Sequence, residues 1–307
     1  MKIESTPFLG WPNTLRISND SVDLFITTDV GPRIIAYQHL GGHNVFKVYE
    51  DQAGGTNEDE WRIRGGHRFW LAPEDKELSY HIDNWPVHWR ENDVTGEVII
   101  DSVQTKPSTI RKSLAISLDR FGSGVRIRHT ATNEAFEPVT LAPWALSVMR
   151  PGGLEIIPQP PLGEHPRDLL PNRAAILWPY TDLSDPRWTF GSRFWLLRQS
   201  EGFPPTKLGL AHHEHWIGYV MEDALFIKSF EYTNGANYPD GGCNFETFTD
   251  HEMLEIESLG PLTTLEPGQS VTHTERWHVF ELTEQMSIES EEALSHWIAP
   301  FLARALK

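Results

Sequence analysis

Val22-Asp23-Leu24-Phe25-Ile26 sets the rhythm on which the fold is read. Side chains alternate across a strand, so positions 22, 24 and 26 share one apolar face. The same period of two recurs at 33–37, 96–101, 110–118, 125–133, 138–148, 154–158, 207–210, 215–220, 224–232, 252–259 and 270–280. Gly, Pro, Asn and Asp separate these runs, as short strands joined by turns require. One segment breaks the rhythm. Ser290 is placed to cap a helix with Glu291 and Glu292 in its first turn, and Leu294, Trp297, Ile298, Phe301 and Leu302 follow at helical spacing. Arg304 and Lys307 fall at its negative end, and Pro300 inside it should kink or split it. A dozen strands with one terminal helix predict an all-β protein, a large antiparallel β-sandwich, over residues 1–307 as a single domain. The stretches 158–171 and 178–191 read as long loops over one face, where a rigid β scaffold often carries its site.

Composition narrows the function. Lys and Arg number 26 against 43 Asp and Glu, a net charge of −17 that repels nucleic-acid backbones and anionic membranes. Cys243 is the only cysteine, so no intramolecular disulfide and no multi-cysteine zinc site can form. The opening MKIESTPFLGWPN has no apolar core of a secretory signal, and no run of 18 apolar residues occurs, so a cytoplasmic location is expected. No P-loop, GxSxG or strand-linked GxGxxG is present, and no cofactor is expected. The 12 Trp either fill a β core or line a cleft where sugar rings stack; composition alone does not separate the two.

Four segments carry candidate chemistry. Arg64-Gly65-Gly66-His67-Arg68-Phe69-Trp70 joins flexible glycines, which let backbone approach a ligand, to forked donors, a proton-carrying imidazole and aromatic rings. Asp240-Gly241-Gly242-Cys243-Asn244-Phe245-Glu246-Thr247-Phe248 is a turn feeding a strand, with Asn244, Glu246 and Phe248 on one face. A Glu buried among aromatics there has a raised pKa suited to general-base work. In Leu141-Ala142-Pro143-Trp144, Pro143 should start, bulge or edge a strand, and Trp144 points either into the core or into a cleft. His212-His213-Glu214-His215 invites a metal, but a strand sets only 213 and 215 on one face, and no metal is expected.

In order along the chain, these segments resemble the galactose mutarotase-like (aldose 1-epimerase-like) superfamily. Gly31-Pro32-Arg33-Ile34 resembles its early "GARI" strand; Arg64-Gly65-Gly66 resembles the "HGG" of aldose epimerases and the "RGG" of hexose-6-phosphate epimerases. Residues 129–141 resemble its "N…PV.LT" strand, Cys243-Asn244-Phe245-Glu246-Thr247 its "CLET" segment, and residues 255–270 its C-terminal strand pair. "GGHRFWLAPE", "LAPW" and "YPDGG" are most similar to an uncharacterised branch. The resemblance covers about residues 20–280. It implies a β-supersandwich that binds a small-molecule carbohydrate, and a sugar isomerase working by general acid–base chemistry at the anomeric carbon. Glu246 would be the base. The family's acid His is replaced at Pro143-Trp144, and the His of "HGG" by Arg64, which leaves His67 as the acid and His215 as a weaker substitute. Arg64 and Arg68 would orient hydroxyls or an anionic substituent, and Trp70 and Trp144 would stack on the ring, with His215, Asp240 and Asn244 completing the binding set. A non-catalytic sugar-binding protein, or a lyase or hydrolase using the same cleft with Glu74, Asp75 or Asp240, remain the alternatives.

Overall fold

The computed structural model describes residues 1–103, 109–283, 286 and 288–306. In chain order its strands are β1 (Lys2–Phe8), β2 (Trp11–Ser18), β3 (Val22–Thr27), β4 (Arg33–His39), β5 (His67–Ala72), β6 (His88–Glu91), β7 (Val98–Asp101), β8 (Ile110–Leu118), β9 (Val125–Asn133), β10 (Val139–Met149) and β11 (Leu154–Pro158). They continue as β12 (Ala175–Leu177), β13 (Trp188–Phe190), β14 (Phe194–Arg198), β15 (Thr206–Leu210), β16 (Trp216–Val220), β17 (Ala224–Phe230), β18 (Phe245–Thr249), β19 (Leu254–Leu259), β20 (Thr263–Leu265) and β21 (Ser270–Glu281), before helix α1 (Glu291–Ala305).

These strands build two large antiparallel sheets. The first runs β1-β2-β3-β4-β5-β10-β19-β18-β15-β12, with β20 also on β10; the second runs β13-β14-β11-β16-β17-β21-β9-β8-β7-β6. The expected all-β sandwich with a C-terminal helix is therefore the observed architecture. Alternation decides where each side chain goes. Val22, Leu24 and Ile26 enter the main core between the sheets, as do Phe69, Phe245, Ile256, Phe226 and Trp277. On β5, β10, β18 and β19 the intervening residues emerge on the outer face of the first sheet.

Helix α1 begins as read: the Ser290 side chain accepts from the Ala293 N–H. It packs Leu294, Ile298 and Ala305 on the outer face of the second sheet, against Ile156, Phe194, Trp216 and Phe280. Contrary to expectation, Pro300 does not split it; the helix runs unbroken to Ala305. One missing hydrogen bond and a ring clash cost about 3 kcal/mol in an isolated helix, and the docked apolar face offsets that. Lys307 lies outside the described residues. Pro143 likewise sits inside β10 rather than at an end. It falls where β10 changes partner, between β20 (paired to 139–141) and β19 (paired to 144–149), so the ladder loses little by its missing N–H. The runs β1, β2, β5, β6, β12–β14 and β20 escaped the reading from sequence.

Candidate functional site

The two glycines after Arg64 serve the fold rather than a ligand. Gly65 and Gly66 have φ of +88° and +70°, and a Cβ on them would lie 2.0 Å from the Lys47 carbonyl oxygen and 2.4 Å from that of Ile34. The chain thus threads between its own strands there. Arg64 is itself left-handed, and its guanidinium is fully buried against Glu58 (2.6 Å) and the Asn84 side-chain oxygen (2.8 Å).

β5 then alternates. His67 points between the sheets and Arg68 and Trp70 point outward. Register places Arg68 beside Leu146 on β10, Leu146 beside Glu257 on β19, Glu257 beside Glu246 on β18, and Glu246 beside Gly209 on β15. Trp70 pairs with Trp144, and Phe248 with both Glu255 and Lys207. Five strands thereby bring charge and aromatic surface to one patch, which encloses a cavity of about 210 Å³. Its walls are aromatic: Trp61, Trp70, Tyr80, Trp144 and Tyr180. Arg68, Lys207, Glu74, Glu255 and Glu257 supply its charge. That volume is below the ~300–1,000 Å³ of sites for drug-sized ligands and suits something smaller.

The floor is an ion triad. The Lys207 ammonium lies 2.7 Å from the Glu246 carboxylate and 3.0 Å from that of Glu257. It also sits 4.7 Å over the Trp144 ring and 4.8 Å over that of Trp178. Trp144 Nε1 donates to Glu257 (2.9 Å). Burial pushes the Glu246 carboxyl well above the ordinary carboxylate range, against the pull of Lys207, and raises Glu257 in the same way. Lys207 would be pushed down by burial, but its two carboxylates raise it instead, so the ammonium stays charged. Across the pocket, Arg68 donates to Glu255 (2.6 Å) and stacks 4.3 Å over Trp70. Two buried donors on the pocket residues have no partner within the protein: Trp61 Nε1 and Arg68 Nε.

The residues singled out from sequence separate in space. Arg68, Trp70 and Trp144 line the pocket. Glu246 lies one layer beneath, behind Lys207, with no exposed surface. His67 is on the opposite face of the sheet, fully buried, with its Nδ1 2.9 Å from Ser147 Oγ and its Nε2 2.7 Å from His129 Nε2. A ligand in the pocket is out of its reach, because the sheet itself intervenes. Asn244 is also buried and braces the chain before β18, accepting from the His212 N–H (2.6 Å) and donating to the His212 carbonyl (2.9 Å). Asp240 is in a left-handed turn, its carbonyl accepting from Cys243 Sγ. His215 is exposed, 3.8 Å from Glu231.

Sequence reading missed Lys207, Glu257, Glu255, Trp61 and Tyr180. For Glu255 and Glu257 a signal existed: two acids alternate with Leu254 and Ile256 in a strand whose residues are all buried. For Lys207 none did, since its role depends on β15 pairing with β18.

The only grouping of described residues with metal-ligand chemistry is His67, His129 and Glu275, between the sheets. It fits a hydrogen-bonded network better than an ion. His129 Nδ1 bonds the His273 carbonyl, leaving Nε2 to accept from His67. Two nitrogens around one zinc sit roughly 3.3 Å apart, given bonds of ~2.0–2.1 Å, further than the observed 2.7 Å. Glu275 already receives Lys228 (2.8 Å), Ser258 (2.6 Å) and Trp277 (2.8 Å). Burial holds His129 at about 4 and His273 at about 3. The 212–215 run does not gather ligands either: His212 bonds the Trp216 carbonyl, and His213 packs on Tyr232.

Comparison with solved structures completes the architecture. A galactose mutarotase-like protein from Lactobacillus casei superposes with a TM-score of 0.56 at 11% identity, over 87% of this chain and 100% of the other. The fold is the galactose mutarotase-like fold. A second protein so described, from Clostridium acetobutylicum, superposes with a TM-score of 0.55 at 11% identity, over 92% and 99% of the two chains. A candidate aldose 1-epimerase from Escherichia coli K12 does so with a TM-score of 0.53 at 13% identity, over 88% and 99%. No family model and no curated protein matches the sequence. Among the described residues, no helix is long and apolar enough to cross a membrane.

Proposed function

We propose that the outer-face pocket binds a small carbohydrate and that the chain interconverts its anomers. The observation that carries this reading is a small aromatic-walled pocket floored by a lysine held between two carboxylates, Lys207 with Glu246 and Glu257. Sugar hydroxyls can pair with Glu74, Glu255 and Glu257 while the C–H face of the ring lies against Trp70 or Trp144. In this reading the carboxyl pair Glu246–Glu257 shares a proton across Lys207, and Glu257 is the member lining the pocket. The ionised Glu257 takes the anomeric hydroxyl proton, the Lys207 ammonium gives one to the ring oxygen and is reprotonated by Glu246 behind it, and the C1–O5 bond breaks. Rotation about C1–C2 and reclosure give the other anomer and return both protons. Each such transfer group contributes typically ~10²–10⁴-fold. The acid assigned to His67 by resemblance has no part in this scheme.

A second reading, binding without turnover, is favoured by one observation: no histidine is among the described residues lining the pocket. Exchange spectroscopy on the α and β signals of free aldoses separates the two. Catalysis predicts faster exchange with the wild type, and loss of that acceleration in Glu257→Gln and Glu246→Gln with binding retained. Binding without any acceleration would leave the second reading. Full activity in both variants would remove the carboxyl pair from the mechanism.

A further inference from the structure

The charges in the pocket carry information about the ligand beyond its being a sugar. Both cations lining the cavity are already neutralised. Arg68 is held by Glu255 at 2.6 Å, and Lys207 is shared between Glu246 and Glu257 at 2.7 and 3.0 Å. Arg64, the residue aligned with the arginine of the "RGG" segment, is spent on Glu58 and Asn84 outside the cavity. Glu74, in contrast, has a hydroxyl for its partner: Tyr80 donates to it at 2.6 Å, which leaves its negative charge in place. Tyr80 in turn packs on Trp61 (ring centroids 5.3 Å apart) and Trp70 (4.7 Å), so the uncompensated carboxylate adjoins the aromatic wall. Glu74 and Tyr80 also border an open vestibule with Asp75 and Lys76, where acid and base balance and Glu74 again stands over. Counting the lining alone, three carboxylates face two cations, and Glu246 lies behind them.

We infer that this pocket sorts sugars by charge, refusing phosphorylated and acidic aldoses and holding an amino-substituted aldose more tightly than its neutral parent. The inference rests on the proposed sugar-binding role of the pocket. A phosphate inside the cavity meets three carboxylates and, among the described lining residues, two cations that those carboxylates already hold, and displacing Glu255 or Glu257 to free one would strand a buried charge. An ammonium group meets the Glu74 carboxylate and the faces of Trp61 and Tyr80, which attract cations through their ring quadrupoles. Either sugar still lays its ring against Trp70 or Trp144.

The test is calorimetric titration of the full chain with three probes of one ring, D-glucosamine, D-glucose and D-glucose 6-phosphate, and with the matching galactose set, at low and at physiological salt. The expected order is amine, then neutral sugar, then phosphate, with about tenfold between the amine and its parent from one added charge pair near the surface. Added salt should shrink that gap. Glu74→Gln should abolish the gap between the amine and its neutral parent, so that the two bind alike. Tighter binding of the phosphate than of the neutral sugar, or an amine no better than its parent in the wild type, overturns the inference while leaving sugar binding standing. Failure of all members of both sets to bind overturns sugar binding and the inference with it.

Discussion

Replacing Lys207 with Met removes the one cation between two buried carboxylates while keeping most of the side-chain volume. The Lys207 side chain is 5% exposed, and its ammonium lies 2.7 and 3.0 Å from its partners. At an effective dielectric near 20 each contact represents about 6 kcal/mol of gross attraction. Most of this offsets the cost of desolvating the three charges, and truncating one partner of such a group typically costs about 3–5 kcal/mol. The stranded carboxylates then escape their charge by holding protons. Burial already raises both pKa values. Without Lys207 they rise further, above their unfolded value near 4.5. A folded pKa above the unfolded one gives stability that is complete below about pH 4.5 and is lost as pH rises toward the folded pKa. Each group contributes about 1.4 kcal/mol per pH unit in that window. Lys207→Met should therefore cost least near pH 5 and progressively more at pH 6, 7 and 8. Urea unfolding across that series measures it, with Lys207→Met/Glu246→Gln/Glu257→Gln as the neutralised control that flattens the pH dependence. A loss below about 1 kcal/mol at pH 8, or a loss independent of pH, would refute the account of the triad.

Other consequences follow from buried groups away from the pocket. His129, His212 and His273 are held neutral by burial, at about 4, 3 and 3, below an ordinary value of 6.5. The unfolded chain takes up their protons first, so each costs stability as pH drops from 6.5 toward 4; His212→Gln should show a smaller loss over that range than wild type, and an identical pH dependence of urea unfolding in the two proteins would contradict this. Glu155 is fully buried on β11, and burial raises its carboxyl well above 4.5. Glu155→Gln should thus stabilise the protein by about 1 kcal/mol or more at pH 8 and by little at pH 5, read from the same titrations. Glu291 ties the helix to the β13–β14 hairpin through Ser192 Oγ (2.6 Å) and the N–H groups of Arg193 (2.7 Å) and Phe194 (3.0 Å). Partial burial alone would raise its carboxyl, but these donors hold it at about 2. That contribution is present above about pH 4.5 and lost as pH falls toward 2. Glu291→Gln should cost about 1 kcal/mol at pH 7 and expose the helix to proteolysis before the sheets unfold.

The fold was legible because alternation is local. Strands β8, β9 and β11 run over the residues that period two marks, and the Ser290 cap fixes the helix start. Short or two-faced buried strands such as β5, where His67, Arg68, Phe69 and Trp70 are all buried, show no alternation and read as a loop. The site was legible in part. Trp70, Trp144 and Arg68 carry their chemistry in their own type and neighbourhood. The triad does not, because Lys207, Glu246 and Glu257 come from three strands whose adjacency is a matter of long-range pairing. The glycines after Arg64 misled for a related reason: their freedom accommodates the carbonyls of Lys47 and Ile34, which sequence spacing does not place beside them. His67, named as the acid by resemblance alone, points between the sheets because successive residues of β5 face opposite ways, a direction that the resemblance did not supply.

The central claim is that a sugar ring lies against the aromatic wall of the outer-face pocket, over the Lys207–Glu257 floor. Calorimetric titration of a panel of free aldoses into wild type and Trp70→Leu tests it most directly, since Leu keeps an apolar side chain and removes the stacking surface. Saturable binding by the wild type, weakened about tenfold in Trp70→Leu, is the predicted result for the loss of a stacking contact of about 1–1.5 kcal/mol. No saturable heat with any aldose, or equal affinity in the two proteins, would contradict it.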